Sequence, residues 1–76
     1  MNIEIFLKVI LIKIDVEGFE PKVLAGAEQT IKKYWPVLCI EINTEGNNSQ
    51  EIVESWGYVL KEIDNLQNHD YIFVKE

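Results

Sequence analysis

The chain has 76 residues, a net charge of −6 and a single cysteine, which is enough for one small domain of marginal stability, residues 1–76. Its seven basic residues are all lysines and are scattered, so it lacks the clustered cations that nucleic-acid phosphates or an anionic membrane surface demand. One cysteine excludes an internal disulfide, and Cys39 inside "VLCIEI" reads as a small buried hydrophobe that suits a reducing compartment, so the expected location is the cytoplasm.

The opening "MNIEIFLKVILIKI" is apolar but interrupted by Glu4, Lys8 and Lys13. It is too short and too charged for a membrane span, and no small-residue cleavage site follows it. Residues 9–15, "VILIKID", form a run with the signature of a strand buried on both faces, as in a parallel sheet. Residues 3–7 either extend that strand or form a separate short segment. A helix should follow, with Pro21 at the first helical position and Phe19 stapled to Leu24 across its start. Leu24, Ala27, Ile31 and Tyr34 recur at helical spacing as one apolar stripe. Gly26 weakens that helix and reads as a mark of close packing on a sheet. Lys32 and Lys33 suit the last turn, and Pro36 stops it.

Residues 37–42 read as a second buried strand, and "NTEGNN" as a loop. Asn48 with Glu51 resembles a capping box, opening a short helix to about Trp56 with Ile52, Val53 and Trp56 inward. Gly57 is a natural residue to follow the helix end. Residues 58–63 alternate as a half-buried strand, "DNLQNHD" is a connection, and 71–75 form the last strand, antiparallel to its predecessor. The order β-α-β-α-β-β predicts an α/β fold with a parallel sheet closed by an antiparallel pair.

In an open α/β sheet, ligands bind at the carboxyl ends of the strands. The first long strand ends at Asp15 and runs into the acidic turn Asp15-Val16-Glu17-Gly18. The next ends near Glu41 and Asn43, at the same edge. Carboxylates there can act as a general base toward an acceptor hydroxyl, hold a hard cation, or hydrogen-bond substrate hydroxyls. Gly18 permits a sharp turn or a close ligand approach. Asp15 is the foremost functional candidate. Glu17 is balanced between a site role and helix-start electrostatics, whereas Glu20 reads as a stabiliser of the helix N-terminus. Glu41 lies in an apolar strand, where a lone carboxylate is costly, and is balanced between a site role and a structural hydrogen bond. His69 reads as solvated, Trp35 and Trp56 as packing, and Lys13 as a snorkelling strand residue. No second His or Cys lies at zinc-ligand spacing.

The stretch "IKIDVEGFEPKVLAGAEQTIKKYWPVLCIEI", residues 12–42, resembles the FkbM family of S-adenosylmethionine-dependent methyltransferases. The strand ending Lys-Ile-Asp-Val-Glu-Gly-Phe-Glu, the helix with Val-Leu-x-Gly-Ala, and the strand ending Ile-Glu-Ile carry the likeness together. It implies a partial Rossmann-like, class I methyltransferase sheet, from the fourth strand onward. The four glycines are isolated and no G-x-G pattern occurs, so the resemblance implies that the cofactor-binding N-terminal half is missing. It places Asp15 and Glu17 as catalytic residues and Gly18, Glu41 and Asn43 toward the acceptor. The implied cofactor is S-adenosyl-L-methionine, and the implied reaction is methyl transfer to a hydroxyl of a sugar or small metabolite, with the chain inactive alone. The alternative is a non-catalytic binding or assembly module that pairs through an open strand edge beside residues 9–15, an edge that either residues 3–7 cover or two chains pair across. The corresponding partners are a small-molecule acceptor, a complementing N-terminal half or a second copy.

Overall fold

A computed structural model of the chain describes residues 2–5, 11–43, 45–64 and 69–76. Among the described residues, five strands form one sheet with two helices: β1 (Asn2–Ile5), β2 (Leu11–Asp15), α1 (Glu20–Tyr34), β3 (Val37–Glu41), α2 (Ser49–Ser55), β4 (Tyr58–Asp64) and β5 (Asp70–Lys75). The sheet order is β1-β2-β3-β5-β4. Only β2 and β3 are parallel; β1 pairs antiparallel with β2, and β5 pairs antiparallel with both β3 and β4. Residues 2–5 are thus a separate strand, and they cover the edge of β2, the first of the two outcomes expected for it. The expected strand residues 9 and 10, residues 6 and 7 of the opening segment, and residues 65–68 of the last connection lie outside the described residues.

Strand alternation sorts the side chains. Ile12, Ile14, Leu38, Ile40 and Phe73 face the helices and are fully or almost fully buried, in one core with Val16, Leu24, Ile31, Val53 and Tyr58. Register partners share a face: Ile12 sits beside Leu38 and Ile14 beside Ile40, while Leu38 opposes Phe73. The opposite face carries Leu11, Lys13, Cys39, Ile72 and Val74, all half-buried, with Val37 and Val59 exposed. Two expectations are corrected here. β2 is buried on one face rather than two, because α1 and α2 both join the same core. Cys39 is accordingly half-buried, not enclosed.

α1 begins one residue earlier than Pro21 predicts. Glu20 is the first helical residue, and Phe19 is the N-cap. The expected staple is absent: Phe19 is 56% exposed, with its ring beside the Lys22 ammonium. Leu24 and Ile31 deliver the buried stripe, Ala27 is half-buried, and Tyr34 turns outward at the last turn. Gly26 is exposed, and a Cβ there would meet nothing within 4 Å, so it does not mark close packing. Lys32 and Lys33 do lie in the last turn. Trp35 then takes the left-handed conformation, with φ 49°, and its N–H returns to the Ile31 carbonyl at 2.7 Å.

The second helix also starts differently. Asn48 makes no side-chain cap; the neighbouring Asn47 accepts the Ser49 N–H on Oδ1 at 2.9 Å. The helix ends as expected, with Trp56 as the C-cap and Gly57 at φ 98°. Tyr58 opens β4 and fastens the two halves of the core, since its buried hydroxyl donates to the Pro36 carbonyl at 2.6 Å. The antiparallel closing pair, β4 with β5, is present, with a register shift between Leu60 and Glu62.

Candidate active site

The parallel register that sets Ile14 beside Ile40 ends β2 and β3 side by side, at Asp15 and Glu41. β5 begins at Asp70 opposite Glu41, and β4 ends at Asp64 opposite Asp70. Four acidic residues therefore step across four neighbouring strands at one edge of the sheet. Asp64 and Asp70 escape sequence reasoning because "DNLQNHD" reads as a connection. Only the antiparallel register of β5 carries its two flanking acids to this edge.

Glu41 is 8% exposed. Its Oε1 accepts the Asn43 Nδ2–H at 3.0 Å, and the parallel register of β2 and β3 brings Asp15 to the neighbouring strand end. Burial pushes the Glu41 pKa up, and the neighbouring Asp15 and the charges of Asp70 and Glu20 push it further. The sequence-predicted Asp15, Glu41 and Asn43 are thus brought together.

Glu17 and Gly18 occupy the next turn of chain. Phe19 N–H reaches back to the Val16 carbonyl at 3.3 Å. Between them Glu17 has φ 51° and Gly18 φ 97°. The left-handed backbone is natural for Gly but costs a Glu about 1 kcal/mol or more. Glu17 is exposed, and Gly18 is half-buried.

Glu20 holds this turn. It is 1% exposed, and its Oε2 accepts the Val16 N–H at 3.0 Å. Its Oε1 accepts the Gly18 N–H at 2.9 Å and the Asn47 Nδ2–H at 3.1 Å. Glu20 is thus structural, as its position before a helix suggests, but it serves the preceding turn rather than the helix's own amides. Asn47 is a third residue that sequence reasoning misses; one Asn in an Asn-rich loop carries no distinguishing signal. On the far side of the edge, Ile42 N–H bonds the His69 carbonyl at 3.1 Å.

Among the described residues, no group of three or more His, Cys, Asp or Glu is placed to hold a metal ion. No described helix is long and apolar enough to cross a membrane. The arrangement favours the protonated form of Glu41 beside Asp15 and presents Glu17 to solvent on the turn that follows Asp15.

No match was found among curated proteins or among solved structures. A family model, however, covers residues 3–73: the methyltransferase FkbM domain. The match takes in both strand ends, the acidic turn and the closing antiparallel pair, and the chain belongs to the FkbM methyltransferase domain family.

Proposed function

We propose that the carboxyl edge is the acceptor side of a methyl-transfer site. The observation that carries this is the Asp15–Glu41 pair, two carboxyl groups at the ends of adjacent parallel strands, where α/β sheets bind ligands. The element order, with its closing antiparallel pair, supports its assignment to the second half of a class I methyltransferase sheet.

S-adenosylmethionine is the methyl donor that the family implies. The acidic edge suits the positive charge of a sulfonium, but the chain has no Gly-x-Gly turn to seat the rest of such a molecule. The residues present therefore do not make a complete cofactor site, and a complementing N-terminal half would have to supply it. What the chain's own residues do can be stated without the cofactor. Asp15 accepts the acceptor hydroxyl's proton, leaving the oxygen its electron pair for attack. Glu41, whose protonated form burial favours, lies beside Asp15 and is itself held by the Asn43 amide. Glu17 and Asn43 orient neighbouring hydroxyls of a polyol, sugar or similar small acceptor, and Gly18 leaves room for it. The test is methyl transfer by a full-length family member carrying the equivalents of Asp15→Asn and Glu17→Gln. A loss of about 10²–10⁴-fold for the Asp change is expected. Unchanged rates in both variants would remove the assignment.

The second possibility, assembly, is favoured by the sheet face opposite the helices. Leu11, Val37, Cys39, Val59, Ile72 and Val74 lie there half-buried or exposed, an apolar face of the kind that marks an interaction surface. The edge of β2 is already paired with β1, so a complementing half would cover this face. Sedimentation of the chain alone separates a complementing half from a second copy, since only the latter gives a dimer.

A further inference from the structure

We propose that Glu20 and Asn47 are positioning residues: Glu20 fixes the left-handed Glu17-Gly18 turn, and Asn47 ties the β3–α2 loop to it. Val16 and Gly18, on either side of Glu17, and Asn47 are then set relative to one another by a single buried carboxylate. That what they position is a methyl-transfer site rests on the proposal above; the clamp itself does not.

A carboxylate at 1% exposure is tolerable only with hydrogen-bond donors around it. A residue in the first turn of a helix could find donors in the helix's own opening amides. Glu20 instead reaches backward, out of α1, to the amides of Val16 and Gly18. These flank Glu17, the turn's strained non-glycine residue. The third donor, Asn47 Nδ2, comes from 27 positions along the chain. Asn47 is itself held, because its Oδ1 takes the Ser49 N–H. Its two ends are therefore assigned by chemistry, acceptor toward an amide and donor toward a carboxylate. The result is one continuous path from the acidic turn through Glu20 and Asn47 to the start of α2. The loop on that path begins with Asn43, whose amide holds Glu41.

The test uses the full chain and needs neither cofactor nor acceptor. Amide hydrogen exchange and side-chain carboxyl titration are followed by NMR for Asn47→Ala, Glu20→Gln and a neighbouring control, Asn48→Ala. The Asn47 variant should exchange the Gly18 amide about tenfold faster, with core amides such as Phe73 unchanged. It should also move the Glu41 titration midpoint, because the amide of Val16, next to Asp15, is then held less firmly. Asn48→Ala should change neither. A clamp that only stabilises the fold would speed all amides together and leave the Glu41 midpoint where it was; that result overturns the proposal, as does an unchanged Gly18 amide. Should Glu20→Gln not fold, the Asn47 variant alone decides. Failure of methyl transfer in a full-length relative, with the clamp intact here, would count against the catalytic assignment only.

Discussion

Replacing Glu20 by Ala removes the acceptor of three donors at once: the Val16 and Gly18 amides and the Asn47 side chain. A hydrogen bond to a charged group contributes about 1.5–3 kcal/mol, but the three losses are not additive. Val16 is 3% exposed, so its amide finds little replacement water and carries most of the cost. Gly18 and Asn47 are half-buried, and water recovers part of theirs. Removing a buried carboxylate also returns its desolvation cost. The balance is a loss of about 3 kcal/mol. A chain of this size holds about 4–11 kcal/mol in total, at roughly 0.05–0.15 kcal/mol per residue, so the variant should lose a large part of its stability. Urea unfolding should show the midpoint falling with an unchanged slope. A loss below about 1 kcal/mol is all that a first-turn helix charge is worth, and it would refute the role assigned to Glu20.

Three other substitutions probe separate parts of the structure. Gly26→Ala fills open space on an exposed helix face, so it should stabilise the chain by about 0.8–1 kcal/mol and raise Tm by several degrees; a lower Tm would mean that Gly26 has a packing role after all. Tyr58→Phe leaves the Pro36 carbonyl buried without its donor and should cost about 1–3 kcal/mol in urea unfolding. The Tyr58 phenol, pushed up to about 12 by burial, should stay protonated through pH 10 in an ultraviolet titration of the folded chain. Glu41→Gln tests linkage. Glu41 has a raised pKa in the folded state, so folding favours its protonated form. Its contribution is whole below the ordinary value of 4.5 and is lost as pH rises through the raised one. The difference in stability between the wild type and the permanently neutral Gln variant should therefore move in favour of Gln as pH rises through that window. A difference that does not vary with pH would contradict the assignment.

The fold was legible where one local signal sufficed. The apolar runs around Ile12–Ile14 and Leu38–Ile40, Pro36 after the helix, and Gly57 after the short helix all mark real boundaries. The pairing of Asp15 with Glu41 was legible too, because parallel strands joined by a helix must end at one edge. What escaped was what depends on side-chain reach. Whether Glu20 turns toward its own helix or back to Val16 is decided by rotamer and burial, and nothing in "EGFEP" distinguishes them. The cap at α2 falls to Asn47 rather than Asn48 because Asn47 also meets Glu20, a contact between residues far apart in sequence. Asp70 reaches the edge only because β5 lies between β3 and β4. The uncovered sheet face was hidden for a related reason: an apolar run such as "VILIKID" has the same composition whether one face or both are buried.

The most direct test of the site is a carbon-detected NMR titration of the Asp15 and Glu41 carboxyl groups, in the wild-type chain and in Asp15→Asn. Burial and the neighbouring Asp15 charge predict that Glu41 titrates above its ordinary value of 4.5, and that its midpoint drops when Asp15 loses its charge. A Glu41 midpoint at the ordinary value, indifferent to the change at Asp15, would mean that the two carboxyls do not act together and that the edge is no more than a row of solvated acids.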